Sequence, residues 1–172
     1  MPRFVTHLEA AIDGTHLDAD SLQTMHAGRP LWVKYDLKAI GSAVDRDAFA
    51  HRDTSMFRYR ELLPVGDVIQ PVSLGEGSSP LLHCPRLGHE LGLPHLYVKD
   101  ESQLPTGSFK SRGLAMAITM AKHFGVRRVA IPTAGNAGGA TAAYAARAGM
   151  QAYVLMPDDT PIVNMMECVW AG

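Results

Sequence analysis

Apolar residues in the second half of the chain recur in two alternating rhythms. Leu96-Tyr97-Val98-Lys99, Val129-Ala130-Ile131-Pro132 and Ala152-Tyr153-Val154-Leu155-Met156 are short runs rich in β-branched and aromatic side chains, and they read as strands. Between them the spacing turns helical. Leu114, Ala117, Ile118, Ala121 and Phe124 fall on one side of a helix predicted over 111–124, with Gly125 placed to end it in a left-handed conformation. A helix of small residues is predicted over 137–148, with Gly149 at its C-terminal cap. Strands alternating with helices of this length define an α/β fold, a parallel sheet with flanking helices joined by right-handed crossovers.

Residues 1–70 differ in texture. They are polar and irregular, with many His, Asp and Arg residues. A short amphipathic helix over 56–63 and a hairpin turn at Asp13-Gly14 are the elements expected there. No repeat or low-complexity segment stands out. At the other end, Met165-Met166-Glu167-Cys168-Val169-Trp170-Ala171-Gly172 reads as the start of another helix and turn, with no strand after it. A parallel sheet stopping there keeps an exposed edge, so the expectation is a fragment, incomplete at the C-terminus.

Composition narrows the function classes. The chain has 172 residues, of which 47% are hydrophobic and 19% charged, as in a globular domain or a piece of one. A net charge of −1 gives no electrostatic footprint for nucleic acid. The start lacks the apolar core of a signal peptide, and no apolar run approaches a membrane span. Cys84 and Cys168 form no Cys-x-x-Cys pair, which suits a reducing cytoplasm better than a disulfide framework. The expected location is therefore cytoplasmic, with neither nucleic acid nor membrane as partner.

Two segments could carry chemistry. Lys110 ends a loop containing Pro105, Gly107 and Ser108, immediately before the predicted helix. A cation there faces the positive end of the helix dipole, and attack on a carbonyl needs a neutral amine. On spacing alone, an ordinary surface lysine at a helix start is the better reading. A phosphate-binding P-loop is rejected, because Glu101 and Ser102 stand where its other glycine belongs. The second segment is Thr133-Ala134-Gly135-Asn136-Ala137-Gly138-Gly139, between a strand and a helix. Ligands of open α/β sheets bind at that strand end, and the helix N-terminus offers free N–H groups to an anion. Asn136 suits the N-cap position, and Gly138 and Gly139 also suit close packing of helix on strand. The eight histidines are scattered, none in a convincing helical metal pair, so no metal site is expected.

Several stretches together resemble threonine synthase, within the fold type II pyridoxal-phosphate enzymes. They are Ser73-Leu74-Gly75-Glu76-Gly77-Ser78-Ser79-Pro80-Leu81, Tyr97-Val98-Lys99-Asp100-Glu101, residues 105–113, and Pro132-Thr133-Ala134-Gly135-Asn136-Ala137-Gly138-Gly139-Ala140. Ala143-Tyr144-Ala145-Ala146-Arg147-Ala148-Gly149 and Met156-Pro157-Asp158-Asp159-Thr160-Pro161 continue the match in collinear order, and residues 56–65 resemble the segment preceding the catalytic domain.

The resemblance implies that Lys110 is the Schiff-base lysine for pyridoxal 5′-phosphate and that Asn136 hydrogen-bonds the 3′-oxygen of its ring. It implies that Thr133, Ala134, Gly135, Asn136 and Ala137 receive the substrate α-carboxylate, and that Thr106 and Ser108 meet the substrate phosphate. The implied reaction converts O-phospho-L-homoserine and water to L-threonine and phosphate, with a homodimer as the full-length form. Residues 1–70 then extend the large domain. Residues 71–172 hold the lysine and asparagine loop, mostly of the small domain, truncated before the C-terminal catalytic part. Many relatives begin with a Cys-x-x-Cys-Gly knuckle; Ala10 and Asp13 stand in its place here. The family's cofactor-phosphate loop lies beyond residue 172. Threonine dehydratase or a cysteine or cysteate synthase is the near alternative, and a non-catalytic truncated remnant the distant one.

Overall fold

The computed structural model describes residues 3–172. Its N-terminal part is a three-stranded antiparallel sheet of order β2-β1-β3, from β1 (Val5–Ala10), β2 (His16–Leu17) and β3 (Leu31–Tyr35). The turn expected at Asp13-Gly14 joins β1 to β2. Gly14 takes a φ of 75°, and the Thr15 N–H donates to Asp13 Oδ1 at 2.9 Å. In the resulting register Leu8 faces Leu17 and Glu9 faces His16. The sheet itself is not apparent in the polar sequence. Its alternation is real: Leu8, Ala10, Leu17, Leu31 and Val33 share one face, and His7, Glu9, His16, Trp32 and Lys34 the other. The polar face is what makes the segment look irregular.

Helix α1 (Leu37–Ala43) follows, capped by Asp36, whose Oδ1 accepts from the Ala39 N–H at 2.8 Å. The helix expected over 56–63 forms as 3₁₀ turns over Met56–Leu62, kinked at Tyr59 (φ −100°, ψ 33°). An ion pair accompanies the departure. Arg52 donates to both oxygens of Glu61, at 2.7 and 2.8 Å, and to the carbonyl of Arg58 at 2.6 Å. Glu61 is only 2% exposed, and Arg52 holds its carboxyl below the usual range.

The strand near residue 97 does not join a parallel sheet. β5 (Tyr97–Lys99) pairs antiparallel with β4 (Leu81–His83), and α2 (Pro85–Glu90) lies between them in sequence. The parallel unit comes after it: α3 (Lys110–His123), β6 (Arg128–Pro132), α4 (Asn136–Ala148), β7 (Gln151–Leu155) and α5 (Ile162–Trp170). β6 and β7 run parallel, from Arg128 opposite Gln151 to Pro132 opposite Leu155. Gly125 and Gly149 take φ of 76° and 71° at the helix ends, as their positions predict.

One core joins the early and late segments. Phe57, Val65, Ile69 and Val72 pack with Ala115 and Ile118 of α3 and with Tyr144 and Ala145 of α4. Burying each large apolar side chain contributes roughly 1.5–3 kcal/mol. The buried N–H of Val72 donates to Thr119 Oγ1 at 2.8 Å, which satisfies a polar pair inside that core. Val129, Ile131, Ala152 and Val154 turn to the half-buried side of the parallel pair, while Tyr153 and Leu155 are exposed on the other. Among the described residues no helix is long and apolar enough to cross a membrane.

Candidate active site

Lys110 is the first residue of α3, at the end of a loop that is closed by its own hydrogen bonds. The Gly107 N–H donates to the Leu104 carbonyl at 2.8 Å, with Gly107 at φ 64°. The Thr106 N–H donates to Ser111 Oγ at 3.2 Å, and the two hydroxyls lie 2.7 Å apart. Ser108 is buried, and its Oγ accepts from the Lys110 N–H at 3.4 Å. The Lys110 ammonium extends over the exposed ring of Phe109, 4.2 Å from the centroid.

A second layer braces this loop. Arg112, two residues along α3, donates through Nε and Nη2 to Glu101 at 2.6 and 2.9 Å. Arg112 Nη2 also reaches Ser79 Oγ at 3.3 Å. The Ser79 hydroxyl donates in turn to Glu101, and the Lys99 ammonium to the Ser79 carbonyl. The Arg112 guanidinium first, and the Ser79 hydroxyl second, pull the Glu101 carboxyl down to about 2. Three stretches separated in sequence, around Ser79, Glu101 and Arg112, thus meet at one forked ion pair.

Glu76 supplies a further tie that sequence reasoning missed. It is fully buried; Oε2 accepts from the Tyr144 hydroxyl at 2.6 Å and from the Leu74 N–H at 2.9 Å. Burial first, then this bond, pushes the Tyr144 hydroxyl well above its usual range. Glu76 Oε1 is buried without a hydrogen-bond partner. The signal for the pair was weak: a lone acid between glycines and a tyrosine in an alanine-rich helix.

At the start of α4 the structure corrects one expectation. Asn136 is not the N-cap; Gly135 is, and no side chain caps the helix. Thr133 Oγ1 accepts the Gly135 N–H at 3.3 Å, so the turn closes one residue early and carries Asn136 into the first helical turn. The Gly138 N–H turns back to the Gly135 carbonyl at 2.9 Å, and the N–H groups of Asn136 and Ala137 before it face the helix end, where an anion can meet them. Gly138 serves packing: a Cβ there would sit 2.5 Å from Met156 Cε and 2.9 Å from Val154 Cγ1. A cleft of about 350 Å³ lies between the lysine loop and the helices, lined by Thr106, Gly107, Gly139, Glu167 and Trp170 among others.

These residues suit pyridoxal phosphate at two points: an amine on a braced loop and an uncapped helix N-terminus on a neighbouring element. An α/β scaffold with those two features fits a cofactor-dependent enzyme domain. The family profile of the pyridoxal-phosphate dependent enzymes matches residues 72–169, more than half of the chain, and the chain belongs to that family. Pyridoxal phosphate is therefore its cofactor class.

Individual relatives refine the likeness. The chain is 40% identical over 146 residues to a threonine synthase of Methanocaldococcus jannaschii, a match covering 84% of this chain and 36% of that enzyme. It is 48% identical over 99 residues to a threonine synthase of Mycobacterium leprae, covering 58% of this chain and 27% of that one. Among solved structures, a pyridoxal 5′-phosphate-dependent aspartate racemase matches with a TM-score of 0.50 and 28% identity over 55% of this chain and 30% of that one. The chain thus spans about a third of the length of these relatives.

Proposed function

We propose that this chain is the lysine-bearing part of a threonine synthase, which converts O-phospho-L-homoserine and water to L-threonine and phosphate. The observation that carries the reading is Lys110, held at the first position of α3 by a loop braced through Arg112, Glu101 and Ser79. The likeness to threonine synthases supports it over other reactions of the family.

In this reading pyridoxal phosphate supplies the electron sink. Lys110 Nζ holds the cofactor and moves protons, taking them from Cα and Cβ of the substrate and returning them to Cγ and Cα. Phosphate leaves from Cγ and water adds at Cβ. Asn136, at the start of α4, donates to the ring oxygen of the cofactor. The uncapped turn of Thr133, Ala134, Gly135, Asn136 and Ala137 receives the α-carboxylate. Thr106, on the cleft wall, and Ser108, whose hydroxyl also takes the Lys110 N–H, meet the substrate phosphate. Residues 71–172 form most of the small domain and residues 1–70 extend the large one. The setting is cytoplasmic, the partner a small amino-acid phosphate, and the full-length form a homodimer.

The test is reconstitution with pyridoxal phosphate, read by the visible imine band and by products from O-phosphohomoserine. The band is expected with Lys110 and absent in Lys110→Ala; a band that survives Lys110→Ala sinks the lysine assignment. Formation of 2-oxobutyrate or cysteine in place of threonine and phosphate moves the function to another enzyme of the family.

A further inference from the structure

The polar face of the N-terminal sheet carries three side chains that no part of the proposed reaction uses. His7 and Glu9 are two residues apart on β1, so both point to one face. His16 sits directly opposite Glu9 on β2. The ligand atoms of the three lie within 4.8 Å of one another. Glu9 Oε2 is 4.0 Å from His7 Nε2 and 4.0 Å from His16 Nε2, while its other oxygen takes Lys34 Nζ at 3.3 Å. The carboxylate is therefore oriented by Lys34 and offers one oxygen to both imidazoles.

The orientation of the His7 ring can be read from its neighbours. Thr6 Oγ1 donates to the Lys34 carbonyl at 3.2 Å, so it accepts at its 2.9 Å contact with His7 Nδ1. That makes Nδ1 the donor and leaves Nε2 as the ring atom facing Glu9. Nε2 is buried and has no hydrogen-bond partner. A buried polar atom without a partner is costly. The rings of His7 and His16 are stacked 3.8 Å apart with a 28° tilt.

We propose that His7, Glu9 and His16 bind a divalent transition-metal ion of the zinc type. Two imidazoles and one carboxylate match zinc and its first-row neighbours and disfavour magnesium or calcium. Tetrahedral zinc needs ligand atoms about 3.4 Å apart, so the 4.0 Å separations must close by about half an ångström, and side-chain rotation must splay the two stacked rings so that both Nε2 atoms converge on the ion. Thr6 is the outer partner that orients His7. The fourth position is left to water. The ion joins the two strands on either side of the Asp13-Gly14 turn, and the set includes neither Ala10 nor Asp13.

The test is calorimetric titration of the chelator-stripped chain with Zn²⁺, repeated with Co²⁺ as a spectroscopic stand-in. One equivalent is expected to bind with a Kd on the order of 1–10 μM, with visible cobalt bands of a four-coordinate ion. His16→Ala, at a side chain 66% exposed, removes a ligand without burying or uncovering core. It and Glu9→Gln should each weaken binding by at least ~10-fold, the loss seen when even an outer partner of a metal ligand is removed. His123→Ala should leave binding unchanged, and circular dichroism should match the parent for all three. No saturable binding up to about 100 μM overturns the site, as does binding that persists undiminished in both His16→Ala and Glu9→Gln.

Discussion

At the residue scale the chain relies on a few polar groups whose partners lie far away in sequence. Glu101 is the clearest. Its carboxyl is held at about 2, against an ordinary value of 4.5, by the forked bond from Arg112 and by Ser79. A depressed folded value means the pair stabilises fully above the unfolded value and is lost as pH falls from 4.5 towards 2. With both side chains partly exposed, the contribution discounts to about 1–2 kcal/mol. Thermal melts from neutral to acid pH should show that loss in the parent, and Glu101→Gln should be less stable at pH 7 with a flatter decline. An equally steep acid decline in Glu101→Gln would falsify the assignment. Lys110 belongs to the same network only through its loop, so its loss should erase the cofactor band while leaving the melt nearly unchanged.

At the element scale, α4 and α3 ask opposite things of their glycines. Gly138 lies where α4 meets the end of β7, and an added methyl meets Met156, Val154 and Thr133 at 3.0 Å or less. Overpacking of this kind costs roughly 1–3 kcal/mol, more than the helix propensity gained. Gly138→Ala should therefore lower stability by about 1–2 kcal/mol. Gly113, inside α3, has open space where the same methyl would go, with no neighbouring atom within 4 Å. Gly113→Ala should raise stability by about 0.5–1 kcal/mol through helix propensity alone. Denaturant midpoints of the two variants should move in opposite directions; a shared sign would mean the helix–strand spacing is not what selects glycine at 138.

At the scale of the whole molecule, protection should follow the shared core. Phe57, Val65, Ala115, Ile118, Tyr144 and Ala145 tie segments from both halves of the chain together, whereas most of residues 11–30 are exposed. Native-state hydrogen exchange should therefore be slowest in the central amides of α3 and α4 and fast across 11–30. Metal addition should slow the β1 and β2 amides selectively if the His7, Glu9 and His16 site fills, since an ion bridging the two strands opposes their opening. Uniform protection along the chain would contradict the single shared core.

The amino-acid sequence by itself determined the late α/β rhythm, because one-sided apolar spacing and terminal glycines are local signals. α3, β6, α4 and β7 begin and end within about two residues of the bounds that spacing predicts. It also determined Lys110 and the Thr133–Ala137 turn as candidates, through motifs contiguous in the chain. Only the tertiary structure decided the rest. β5 reads as any strand does, but its antiparallel partner β4 is chosen by long-range pairing. The helix expected over 56–63 became 3₁₀ turns beside the Arg52–Glu61 pair. Asn136 lost the cap to Gly135 because Thr133 closed the turn first. Glu76 with Tyr144, Glu101 with Arg112, and His7 and Glu9 with His16 are each set by strand register or helix docking. Sequence spacing carries the period of an element; which face meets which is fixed only when the elements pack.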